Sequence, residues 1–147
     1  KKNEHQEIKT RINHLSPNCK SYQKVKNVLN EESKGIFQGK IYVKDVAQKT
    51  DAYQLSKALL LNDNAEFNSK PELEIYADDV KCSHGSTTGQ IDEDALFYLQ
   101  SRGINKQDAM ELMVTGFANE VLDKIPHPKI KKTIYTEFTV KLNRLMS

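Results

Sequence analysis

The hydrophobic period of this chain changes once, and that change orders the fold: strands first, helices afterwards. Leu73 and Ile75 alternate with charged residues, and Val80, Cys82 and His84 continue at every second position, the spacing of an extended strand. After Gly89 the apolar residues fall at helical spacing instead. A thiol and an imidazole are therefore expected to leave one strand on the same face, just before the chain turns into a helix.

Upstream, the apolar positions read as short strands: Ile8 to Leu15, Tyr22 to Leu29, Ile36-Phe37, Ile41 to Val43, Ala58 to Leu61, Leu73 to Tyr76 and Val80 to His84. Punctuation is expected at Ser16-Pro17-Asn18, Asn30-Glu31-Glu32, Gly35, Gly39, Asn62-Asp63-Asn64, Ser69-Lys70-Pro71 and Asp78-Asp79. Asn-Gly and Asp-Gly hairpin signals are absent. Wide, irregular spacing suits coils that each lay a strand on the previous one. No letter-for-letter repeat is visible, so pattern alone fits a β-sandwich equally well.

Three helices are legible from Ile91 onward. Asp92 is a cap for the first, with Glu93 and Asp94 in its first turn and Gly103 placed to end it. Asn105 caps the second, with Asp108 three residues on. Its buried stripe is expected at Met110, Met113, Val114, Phe117 and Val121, with Pro126 as its stop. Pro128 suits the first turn of a third helix, whose stripe is Ile130, Ile134, Phe138, Leu142 and Leu145. These apolar faces are wider than a cap on the strands requires, which hints at a partner surface.

Composition excludes more than it selects. With 147 residues and a net charge of +2, there is room for one core with a helical appendage and no general pull toward nucleic acid or an acidic membrane. Two cysteines, Cys19 and Cys82, are too few for a disulfide framework and fit a soluble protein in a reducing compartment. The chain opens on Lys1 rather than Met, so it reads as truncated or processed.

Cys82 and His84 are the candidate ligands. On one strand face their Cβ atoms stand roughly 6.5–7 Å apart. Metal–sulfur and metal–nitrogen bonds of about 2.3 and 2.1 Å let both reach one ion. Two ligands do not close a coordination shell, so further ligands must come from another chain, from sulfide or from another thiolate. The plain alternative is a buried strand cysteine and a hydrogen-bonded or exposed histidine. Cys19, near His14, is expected to be structural or exposed, and His5 and His127 uninvolved. The run His84 to Gln90 lacks the glycine spacing and lysine of a phosphate loop. Asp78 and Asp79, being adjacent, point to opposite strand faces and cannot flank one glycosidic bond.

The run Ala77-Asp78-Asp79-Val80-Lys81-Cys82-Ser83-His84-Gly85, together with Ala47 to Gln54, Leu59 to Leu61 and Gly35 to Lys40, closely resembles the SufB/SufD family of iron–sulfur cluster assembly scaffolds, on its SufD branch. The likeness runs from about Thr10 to the C-terminus. It implies a mainly β fold with α: the C-terminal coils of a right-handed parallel β-helix over 1–90, then a helical domain of about three helices over 91–147. This would be roughly the C-terminal third of a longer scaffold. It implies a non-enzymatic subunit that pairs with a SufB-type paralogue through the β-helix end and docks a SufC-type ATPase through its C-terminal helices. Cys82 and His84 would meet a nascent cluster or iron at the junction, transiently and shared with the partner subunit. The family implies the bacterial cytoplasm, with plastids as the alternative location. A cut β-helix uncovers an unpaired strand edge, so homodimerisation of the isolated chain is a further expectation. The competing reading is a β-helical carbohydrate-active enzyme or sugar-binding module, which calls for carboxylates clustered on one exposed face.

Overall fold

Each of the first four strands pairs in parallel with the strand two further on. The computed structural model describes residues 4–146. It has six ten-residue strands: β1 (His5–His14), β2 (Lys20–Leu29), β3 (Lys34–Val43), β4 (Asp51–Leu60), β5 (Glu66–Ile75) and β6 (Lys81–Gln90). They form two parallel three-stranded sheets, ordered β1-β3-β5 and β2-β4-β6. The chain thus alternates between sheets and advances one strand per circuit, an arrangement consistent with a β-helix. The absence of hairpin signals has its reason here, because parallel neighbours cannot be joined by a two-residue turn.

The strands are longer than the sequence suggests. Gly35 and Gly39 lie inside β3, and Ser69-Lys70-Pro71 lies inside β5. Pro71 is accommodated because β5 is an edge strand, where a missing N–H costs little. The turns stack as the strands do. Lys49 N–H donates to the Asp79 carbonyl and Asn18 N–H to the Gln48 carbonyl, with Asn18, Glu31 and Lys49 in the left-handed region. At the other corner the Asn62 amide donates to Asn30 Oδ1 at 3.0 Å, and Asn62 Oδ1 accepts from the backbone of Asn64 and Ala65.

The interior is narrow. From β3 it receives Gly35, Phe37, Gly39, Ile41 and Val43, all buried, and from β4 Ala52, Gln54, Ser56 and Ala58, also buried. The larger residues of β4, Tyr53, Leu55 and Leu59, face outward. Tyr53 stacks on Tyr22 with ring centroids 5.2 Å apart.

Three helices follow: α1 (Glu93–Ser101), α2 (Lys106–Leu122) and α3 (Pro128–Met146). Asp92 accepts from the Asp94 and Ala95 N–H groups, and Asn105 Oδ1 from that of Asp108. Gly103 adopts φ 87° just past α1. The helices close over the outer side of β2 and β4: Ile91, Leu96, Ala109, Val114 and Leu142 form a core against which Val28, Leu59 and, just past β4, Leu61 pack. α2 ends at Leu122, ahead of Pro126 as expected. One helical expectation needs correction: only the C-terminal half of the α3 stripe packs. Leu142 is buried, whereas Ile130 and Ile134 are exposed.

An ionic clasp fastens α2 to β2. Glu120 receives Lys24 Nζ at 2.6 Å and Lys26 Nζ at 2.9 Å, and the Lys26 ammonium stands 4.0 Å from the Phe117 ring centroid. The side chain of Lys26 is almost wholly buried, and this burial outweighs Glu120 and lowers its pKa, whereas the less buried Lys24 is raised by the same carboxylate. The two lysines hold the Glu120 carboxyl down at about 2. A depressed carboxyl stabilises the fold above its unfolded value of 4.5, and that contribution disappears as pH falls toward about 2. Glu120 is half exposed, so solvent screening limits its contribution to about 1 kcal/mol. Thermal melts of wild type and Glu120→Gln should therefore differ at pH 7 and converge near pH 2–3. A gap that persists unchanged at low pH would show that the clasp acts through packing alone.

Candidate functional site

β6 places both candidate ligands on the inward face at the last coil. The register aligns Ala52 with Cys82 and Gln54 with His84. Ala52 and Gln54 are fully buried in the coil before, so Cys82 and His84 continue rows that line the interior. What differs is the end of the stack. β6 and β5 are the outer strands of their sheets, so the inward face of β6 opens where a further coil would otherwise cover it. Cys82 is half-buried, packed against the cluster of Ile41, Val43, Ala47, Ala52 and Ala77. His84 is exposed. Between them Ser83 faces outward beside Tyr53.

Burial raises the Cys82 thiol above its ordinary pKa. The Ala52 N–H to sulfur hydrogen bond opposes that shift, and the Asp51 charge adds to it. The group is accordingly a protonated thiol at neutral pH, and binding any metal ion there would have to displace its proton. Among the described residues no group of three or more His, Cys, Asp or Glu side chains comes together to hold a metal. Cys82 and His84 lie two residues apart on the inward face of β6, an edge strand of its sheet.

The remaining candidates lie apart. His14 is buried on the inner face of β1, with Nε2 2.9 Å from Ser21 Oγ, and burial lowers its pKa; its partner is that hydroxyl rather than Cys19. Cys19 is half-buried in the turn between β1 and β2, where its carbonyl accepts from Asp51 N–H. His127 is exposed before α3, and His5 is exposed at the start of β1. Asp78 and Asp79 are exposed in the turn before β6. A cleft of about 310 Å³ beside them is lined by Lys20, Lys49, Asp51, Asp79 and Lys81; Cys82 and His84 do not line it.

The outer face of β5 carries Glu72 and Glu74 two residues apart, a carboxylate pair that sequence reading missed. Lys40 engages both. The Lys40 ammonium, then the Tyr76 hydroxyl, hold the Glu74 carboxyl below its usual range. A glycosidase acid needs the opposite shift, so the pair gives the carbohydrate reading no support. Also missed was the wholly buried Gln54 beside His84 in the register. Its only sequence signal was its parity with Ala52 and Ser56.

The chain matches the family model described as the SUF system FeS cluster assembly, SufBD core domain, over residues 1–117. It is 40% identical over 141 residues to the iron–sulfur cluster assembly protein SufD of Escherichia coli, covering 96% of this chain and 33% of that protein. It is 46% identical over 115 residues to a SufBD-family iron–sulfur cluster assembly protein of Synechocystis, covering 78% of this chain and 25% of that relative. It is also 42% identical over 104 residues to the chloroplastic protein ABCI7 of Arabidopsis thaliana, covering 71% of this chain and 22% of that relative. The chain therefore spans a third or less of the length of these relatives. No helix among the described residues is long and apolar enough to cross a membrane.

Proposed function

This chain belongs to the SufBD core family of the SUF iron–sulfur cluster assembly system, and from that membership we propose that it is the C-terminal part of a non-catalytic, SufD-type scaffold subunit. One observation supports the location of its site: Cys82 and His84 lie two residues apart on the inward face of β6, the edge strand at the end of the stack, and among the described residues no third side chain of their kind joins them. In this reading the coils wind right-handed, as nearly all strand–crossover–parallel strand connections do. A SufB-type paralogue covers the end formed by β5 and β6, and the nascent cluster or iron is cargo held between the subunits. Thiolate and imidazole suit iron and cluster sulfur chemistry, with sulfide and partner ligands completing the shell. The exposed Phe97, Tyr98, Leu112, Ile130 and Ile134 supply apolar area on the helices for a SufC-type ATPase. The cytoplasm is the proposed setting, with the plastid as the alternative.

Reconstitution tests this reading. Full-length protein mixed with its paralogue and the ATPase subunit is expected to form one complex that builds a cluster from iron and a sulfur donor. Omission of this chain should reduce cluster yield. Unchanged yield, or capture of glycans in place of the ATPase, would reject the scaffold assignment.

A further inference from the structure

The middle of the β-helix is polar where a narrow two-sheet interior should be apolar. On one sheet the register aligns Gln23, Gln54 and His84, and next to them Val25, Ser56 and Ser86. On the facing sheet it aligns Thr10, Gly39 and Pro71, with Ile8, Phe37 and Ser69 alongside. The two rows meet across the interior, because a Cβ added at Gly39 would stand 2.1 Å from Gln54 Nε2. Gln54 and Ser56 are wholly buried. Among the described residues no side-chain or backbone group serves as a hydrogen-bond partner for Gln54 Nε2 or Oε1, Ser56 Oγ, Thr10 Oγ1, Gln23 Oε1 or Ser69 Oγ.

A buried amide or hydroxyl left unpaired costs about 1–3 kcal/mol, and an apolar residue of similar size would avoid that cost. Six such atoms along adjoining rows call for a ligand that both donates and accepts. These rows carry no lysine, arginine or carboxylate, and His84 stands at their exposed end, so along the buried part of the rows neither an anion nor a metal cation is matched. Water is, since buried water characteristically takes about three hydrogen bonds from groups of this kind. We propose that the interior binds a file of ordered water along Thr10, Gln23, Gln54 and Ser56, which extends to the inner side of His84. Its bearing on the cargo site rests on the reading above: with the coil end covered by a partner subunit, the file reaches the inner side of His84.

Radiolytic footprinting of the full-length protein tests this, because hydroxyl radicals formed from internal water label side chains that bulk solvent cannot reach. Phe37, 0% exposed and packed against this row, is expected to be labelled, while Ile41, 0% exposed in the apolar row, is not. Gln54→Met should reduce Phe37 labelling several-fold, and a high-resolution crystal structure of the wild type should show water within hydrogen-bond distance of both Gln54 amide atoms. A dry interior with Phe37 unlabelled, or labelling indifferent to Gln54→Met in a folded variant, would overturn the proposal. If Gln54→Met does not fold, wild-type labelling and the crystal structure decide the matter. The readout needs no cluster, so it stands apart from the site assignment: loss of that assignment leaves the water file intact, and the reverse.

Discussion

His84→Ala in the full-length scaffold is expected to lower cluster yield by roughly 10–100-fold, since losing even a supporting partner of a metal ligand produces losses of that size. Assembly with the paralogue and the ATPase should be unaffected, because His84 is exposed and accepts no packing role in the chain's own core. Cys82→Ser should reduce yield as well. It also removes a group packed on Ile41, Val43 and Ala52, so a small loss of stability accompanies it. The measurements are visible absorption of the cluster and size-exclusion of the complex. Full cluster yield from His84→Ala would remove the site while leaving family membership untouched.

Gly39→Ala should be among the most damaging single-methyl changes in the strands. Its Cβ would lie 2.1 Å from Gln54 Nε2, 2.6 Å from Gln54 Cδ and 2.6 Å from Phe37 Cζ. Both neighbours are 0% exposed, so neither can swing away into solvent. Overpacking of this kind costs about 1–3 kcal/mol. Adding Gln54→Ala removes two of the three overlaps and should recover part of that loss, while the Phe37 contact persists. A thermal or denaturant double-mutant cycle reads the coupling directly. Strictly additive effects would mean that Gln54 does not cross the interior at Gly39. The reason for glycine here is proximity of a side chain on the facing sheet, since Gly39 lies within regular extended strand.

These two residues also mark where reading the sequence fell short. Gly35, Gly39 and Pro71 look like breaks because glycine and proline usually end strands. In β3 the glycines instead make room for Leu29, Phe67 and Gln54 from other strands, and the contacts to Phe67 and Gln54 lie outside any local window. The exposed start of α3 was misread for a related reason. Ile130 and Ile134 have helical spacing, but whether anything packs against them is set by tertiary placement, which spacing does not encode.

Local chemistry alone determined the change from strand to helix near Gln90, the caps at Asp92 and Asn105, and the shared face of Cys82 and His84, since each depends on neighbours within a few residues. Only the tertiary structure decided which strand face is interior. In β4 the bulky Tyr53, Leu55 and Leu59 turn outward, Leu59 to be covered by the helices, while Ala52, Gln54 and Ser56 turn inward. Alternation of period two distinguishes two faces without saying which one the next sheet will bury. That choice is made by stacking each coil on the last, and it is stacking that brings Cys82 and His84 to the open end of the column.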